Sequence, residues 1–164
     1  MQTFLLITTL YLIFALPAAL YDSRTFRVPL WYIGIGVAVI VAFYIFHPYP
    51  FSPSFKVFGL GNPLVAAISA AVLYLLARFL TGGALGWGDV IFGTYTALYT
   101  GFPLVFFAIA FAALSGLLFY LGLAVADSRR KKSQFVFHPI FAIPYVPFIT
   151  FGAILSQVLF RFFF

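Results

Sequence analysis

The sequence predicts an all-α membrane protein, a polytopic bundle of about six transmembrane helices, and three observations predict it. Hydrophobic residues make up 65% of the 164 residues and charged ones only 7%, whereas a soluble domain covers its surface with roughly 25% charged residues. The apolar runs are continuous, without the alternation in pieces of about 10 residues that marks a membrane β-barrel. Backbone amides cannot face hydrocarbon unpaired, which leaves helices. At about 20 residues per span, this length holds roughly six spans with short loops, so residues 1–164 form a single transmembrane domain.

The spans follow in order. The first is expected over residues 2–21; the start Met1-Gln2-Thr3 lacks the basic region of a signal peptide, so this run reads as a retained span. A polar stretch from Asp22 to Pro29 separates it from the second, over 30–46. A Pro-rich loop over 47–61 breaks the helical pattern. Asn62-Pro63 opens the third span, 63–80, with proline in the first turn, where its missing N–H is tolerated. A glycine-rich loop, 81–88, leads to Asp89 and a short fourth span, 89–100. Gly101-Phe102-Pro103 turns the chain into a fifth span, 104–126. A basic loop over 127–137 precedes the last span, 140–162, with Pro144 and Pro147 inside it.

Charge then sets orientation. With the first loop in the cytosol, that side holds Arg24, Arg27, Arg78, Arg129, Arg130, Lys131 and Lys132, and the outer side only Lys56 and Arg161. Cytoplasmic loops of membrane proteins carry this excess, so both termini are expected outside. The net charge of +6 reads as this asymmetry and not as nucleic-acid binding. There is no cysteine, which excludes disulfides and thiolate metal sites; neither a metal nor a nucleotide cofactor is expected.

Chemistry concentrates in the acidic residues. The chain has no glutamate and three aspartates, Asp22, Asp89 and Asp127, all predicted near the cytosolic face. Ionisable groups at membrane depth are costly and usually functional. Two carboxylates brought together do not both ionise readily, so one serves as acid and the other as base. Such a pair activates water for attack on a peptide carbonyl. Gly86-Trp87-Gly88-Asp89 places little steric bulk beside the second carboxylate, so an extended chain can approach it. The structural alternatives are plain: an aspartate at a helix start is commonly a cap, and Asp22 is able to pair with Arg24 or Arg27. Asp127, beside a basic run, reads as a solvated ion-pair partner.

These residues resemble a known family. Asp22-Ser23-Arg24-Thr25-Phe26-Arg27-Val28-Pro29 is similar to the first catalytic motif of type IV prepilin peptidases, and Gly86-Trp87-Gly88-Asp89 to their second, GxGD. Pro144-Tyr145-Val146-Pro147-Phe148 resembles their late Pro-x-x-Pro-Phe element. The resemblance implies that Asp22 and Asp89 are the catalytic pair. It also implies that Gly86, Trp87, Gly88, Pro144 and Pro147 bind substrate or shape the loops. The implied substrate is a pilin-like precursor, with a short basic leader and a hydrophobic helix, cut at the cytosolic boundary of the lipid membrane. The four-cysteine insertion of the bifunctional, methylating members is missing, so the chain is similar to the short, peptidase-only form. Ile91 stands where many members have lysine, and Tyr145 and Val146 fill the middle of the late element. Tyr21-Asp22 with a later GxGD also resembles presenilin-type proteases, but their late Pro-Ala-Leu element is missing. The rival from another class is a non-enzymatic membrane protein, a proton-coupled carrier or an assembly factor for a secretion apparatus.

The remaining residues carry structural expectations. His47 and His138 fall on opposite sides and read as interface histidines. Trp87 is either a substrate contact or a headgroup anchor. The aromatic bulk, 22% of the chain, reads as helix packing and lipid contact. Gly34, Gly36, Ala66, Ala67 and Ala70 read as small residues that let helices approach closely.

Overall fold

The computed structural model describes residues 2–46, 61–131 and 144–163, and every regular element among them is an α-helix. The helices are α1 (Gln2–Thr25), α2 (Leu30–Phe46), α3 (Gly61–Leu80), α4 (Trp87–Thr100), α5 (Leu104–Lys131) and α6 (Val146–Phe163). Three stretches, Leu5–Thr25, Asn62–Leu80 and Leu104–Ala126, are long and apolar enough to cross a membrane. Leu30–Phe46 and Val146–Phe160 are apolar but shorter. The outer surface matches that character: Leu5, Leu64, Ile68, Phe107 and Leu118 are large apolar residues facing outward.

α4 is the exception and the centre. Its 14 residues reach about 21 Å at ~1.5 Å per residue, short of the ~30 Å hydrocarbon layer. Val90, Phe92, Gly93 and every residue from Tyr95 to Thr100 are buried, and α4 touches all five other helices. A helix ending inside an apolar bundle leaves its last carbonyls without intrahelical donors. Side chains from neighbouring helices supply them: Tyr44 of α2 donates to the Leu98 carbonyl (2.9 Å), and Gln157 of α6 to that of Thr100 (3.2 Å). At the same end Asn62 donates to the Phe102 carbonyl (2.8 Å) and accepts its N–H (2.6 Å), tying the start of α3 to the end of α4.

The interior is polar as well as aromatic. Tyr11 of α1 stacks on Tyr99 with centroids 4.1 Å apart and on Tyr95 at 5.5 Å. Buried hydroxyls are costly unless bonded, and here each has a partner. Tyr11 pairs with Thr96 (3.2 Å), Tyr95 donates to the Tyr11 carbonyl (3.3 Å), and Tyr99 pairs with Thr8 (3.1 Å). These tyrosines pack between helices, as expected of the aromatics, and in addition hydrogen-bond across them.

Close approach at small residues holds α5 to α6. The Cβ position of Gly152 falls against the Ala108 carbonyl, and that of Gly116 lies 3.5 Å from the Tyr145 ring. Gly36 packs tightly on Phe14 and Tyr95, at 3.0 and 3.1 Å, and Ala66, Ala67 and Ala70 are buried. Gly34 is corrected: nothing lies within 4 Å of its Cβ position.

Three expected boundaries move by more than two residues. α1 runs on to Thr25, because neither glycine nor proline lies between Asp22 and Val28, and so carries Asp22 in its last turns. α5 continues through Asp127 to Lys131 where a loop was expected; nothing between Leu104 and Lys131 interrupts a helix. α6 begins at Val146, so Pro144 stands before it. Pro147 is its second residue, where a missing N–H costs nothing. The Pro-rich loop with His47 and Lys56, and His138, lie outside the described residues.

Gly152→Ala is expected to destabilise the detergent-solubilised protein by about 1–3 kcal/mol through overpacking against backbone. Gly34→Ala is expected to be neutral or to stabilise by up to ~1 kcal/mol. Thermal unfolding of the two variants checks this, and equal shifts would refute the packing described for α5 and α6.

Candidate functional site

Asp22 is 3% exposed, and its Oδ2 accepts the Val146 N–H across 3.2 Å. Val146 opens α6, so that amide has no acceptor in its own helix. The partner of Asp22 is thus a helix start from the far end of the sequence, while Arg24 and Arg27 are exposed. Asp89 is the third residue of α4. Its Oδ2 accepts the Gly86 N–H at 3.1 Å, the return half of a capping box. Gly86 has no side chain to offer the other half. The cap reading of Asp89 is therefore correct as far as it goes, and Asp22 caps α6 in the same sense.

Capping does not account for the meeting of the two groups. Val28, on the connector six residues after Asp22, fills the space over Gly88: a Cβ there would lie 2.7 Å from Val28 Cγ2. The Asp22 and Asp89 carboxyls stand within electrostatic reach of each other. The ends of α1 and α3 and the starts of α2, α4 and α6 thus share one end of the bundle. Two of the chain's three acidic residues meet there, although like charges oppose each other's ionisation.

Two tyrosines complete the cluster. The ring of Tyr74, from α3, lies against Gly93, one turn beyond Asp89 on α4, and Tyr74 is within electrostatic reach of Asp89 and Tyr145. Tyr145 immediately precedes the amide held by Asp22. Burial first, and the Asp89 carboxylate second, push its phenol up to about 12. Neither hydroxyl has a hydrogen bond among the described residues. Tyr74 is buried and Tyr145 half-buried.

The loop from α3 to α4 is held by Arg78, which the sequence presented only as a cytosolic charge. Its guanidinium donates to the Gly83 carbonyl (3.2 Å) and to the Leu85 carbonyl, and lies over the Trp87 ring at 4.7 Å from the centroid. Gly82 and Gly83 take φ values of 62° and 90°, a region open to glycine at little cost. They end α3 and bring the loop back onto Arg78.

The expected site residues therefore divide. Asp22, Asp89, Gly86, Trp87, Gly88 and Pro147 lie on elements that meet, and Pro144 leads into α6. Gly86 leaves room for Asp89 Oδ2 at 3.1 Å. The notch at Gly88, expected to admit an extended substrate, is occupied by Val28 of the chain itself. Trp87 is 58% exposed. Asp127 lies in the last turns of α5, and its side chain is outside the described residues. Tyr74, Tyr145 and Arg78 were not singled out as site residues, because only the packing of α3 and α6 onto α4 brings them there. Comparison with protein-family models, with curated proteins and with solved structures gives no match.

Arg78→Gln is expected to raise hydrogen exchange of the 83–86 amides by about tenfold or more, since bonds from a charged donor contribute roughly 1.5–3 kcal/mol each. Arg78→Lys keeps the charge but not the planar fork and is expected to fall between. Unchanged exchange in Arg78→Gln would show that the loop is held by other contacts.

Proposed function

We propose that the protein is a membrane aspartic endopeptidase of the GxGD type that removes the basic leader from type IV pilin-like or archaellin-like precursors. The observation that carries this reading is the convergence of Asp22 and Asp89 at one end of the bundle, on two separate helices. The contact of Val28 with Gly88 joins the first motif to the second, and the bond from Val146 to Asp22 joins the third to the first. In this reading the chain has six spans in the cell membrane, both termini outside and the site at the cytosolic boundary. Arg24, Arg27 and Arg78 at the site end support that orientation.

The chemistry needs only what the two carboxyls supply. One is ionised and takes a proton from a water molecule, which it later delivers to the leaving nitrogen; the other is protonated and donates to the carbonyl oxygen as charge develops there. Neither metal nor nucleotide takes part, and no methyl transfer to the new N-terminus is expected. The precursor helix lies in lipid beside the bundle, which presents its cut site to the carboxyls at the interface.

A non-enzymatic role, as a proton-coupled carrier or an assembly factor, has one observation in its favour. Buried polar residues, Tyr11, Thr96, Thr100, Ser156 and Gln157, run through the interior. A carrier, however, places its ionisable groups near the midplane, and these residues include no carboxylate.

The test is cleavage of co-expressed pilin-like precursors in membranes, read by gel shift. Asp22→Asn and Asp89→Asn are each expected to lower cleavage by about a hundredfold or more, the usual contribution of a general acid or base. Cleavage surviving both changes would sink the aspartic mechanism. No cleavage of any precursor by the wild type would favour the carrier or assembly role.

A further inference from the structure

The two aspartates belong to different helices. Asp22 is bonded to the start of α6, and Asp89 to its own loop; neither bond runs between α1 and α4. Those two helices are joined deeper in the bundle, at Tyr11. Its hydroxyl pairs with Thr96 (3.2 Å), its carbonyl accepts the Tyr95 hydroxyl (3.3 Å), and its ring stacks on Tyr99 with centroids 4.1 Å apart. A second hydroxyl pair, Thr8 with Tyr99 (3.1 Å), lies almost a turn further from the aspartates on each helix, so Tyr11 is the nearer hold.

Helical geometry ties this hold to the carboxyls. Tyr11 precedes Asp22 by eleven residues, about three turns at ~3.6 residues each, so both lie on one face of α1. Ala15 and Ala18, between them on that face, are fully buried. Thr96 follows Asp89 by seven residues, about two turns, so both lie on one face of α4. The faces that meet at Tyr11 and Thr96 are therefore the faces that carry the two carboxyls. Apolar rings turn and slide against each other, whereas a hydroxyl pair is satisfied only over a narrow range of distance and angle, and satisfied buried polar groups rigidify a core. Side-chain tips lie about 5 Å from a helix axis, so turning α1 by ~10° carries the Asp22 carboxyl about 1 Å.

Resting on the peptidase reading, we propose that Tyr11 is a positioning residue: through Thr96 it holds α1 at the rotation that spaces Asp22 and Asp89 for the reaction. Tyr11 is 0% exposed, so it acts through the two helices and not by contact with substrate.

The chain has no cysteine, so a pair of spin labels reports the spacing directly. Ser23 and Ile91 are exposed, one residue after Asp22 on α1 and two after Asp89 on α4. With Ser23→Cys and Ile91→Cys labelled, the distance between the labels is expected to be single and narrowly distributed. Tyr11→Phe keeps the stacked ring and the carbonyl, removes only the hydroxyl, and is expected to broaden that distribution. Thr96→Val is expected to broaden it as much, and the two changes together no more than either alone. Thr96→Ser, which keeps a hydroxyl, is expected to leave it narrow. In unlabelled protein cleaving a precursor that the wild type processes, Tyr11→Phe is expected to lower kcat about tenfold or more, since a misplacement of ~1 Å costs up to about a hundredfold. KM should stay within about twofold, because binding is not what is lost. An unchanged distance distribution in Tyr11→Phe would overturn the proposal, and so would a broadened one with wild-type kcat. With Asp22→Asn and Asp89→Asn inactive in the same assay, the peptidase reading survives either result. A wild type that cleaves nothing, with the distribution still broadened by Tyr11→Phe, would overturn the peptidase reading alone and leave Tyr11 as the residue that spaces the two aspartates.

Discussion

The first amides of a helix have no acceptor within that helix, and in this chain two helices begin at the same end of an apolar bundle with a carboxylate to receive them. Asp89 serves α4 from within its own first turn, while Asp22 serves α6 across the whole length of the sequence. The second bond joins the start of α6 to the end of α1, two helices that also pack on each other. The arrangement that satisfies two helix starts is therefore the same one that brings two carboxyls within electrostatic reach of each other. The capping role of these aspartates and their proximity are thus two aspects of one geometry.

Placing α4 at the centre follows from its length. A helix too short for the bilayer gains little from lipid contact, but it can be wrapped completely by longer neighbours. Its loose carbonyls then become docking points for Tyr44 and Gln157, and its small residue Gly93 admits Tyr74 beside the acidic end. Polar partners inside a membrane bundle contribute only about 0.6 kcal/mol on average, so no one of these bonds holds the fold. Together they fix which face of each helix points inward, which apolar packing alone leaves loosely specified.

Much of this was legible in the sequence because lipid leaves few options. Continuous apolar runs gave the helices, and α2 lies where it was expected, from Leu30 to Phe46. The scarcity of acidic residues made Asp22 and Asp89 conspicuous, and the GxGD pattern marked the start of α4. What was not legible depends on which helix faces lie together. Tyr145 looked like a departure from a motif, Tyr74 like one aromatic among many, and Arg78 like one more positive charge. Nothing near them in sequence signals that they converge. Gly88 was read as an opening for a substrate, because the sequence cannot show that Val28 returns to fill it. The expected start of the last span failed for a local reason: Pro147 suits the first turn of a helix and not its middle.

The reciprocal bond between Asn62 and Phe102 bears on how such a bundle is assembled. A fourteen-residue segment carrying Asp89 offers a bilayer too little apolar length to enter it alone, so its insertion has to be coupled to that of a neighbour. α3 is the natural escort. It is joined to α4 by the loop that Arg78 gathers, and at the far end Asn62 fastens its first turn to Phe102, the second residue beyond α4. The two therefore form a hairpin closed at both ends, in which the short member is carried by the long one. The order of synthesis then completes this hairpin before α5 and α6 are made.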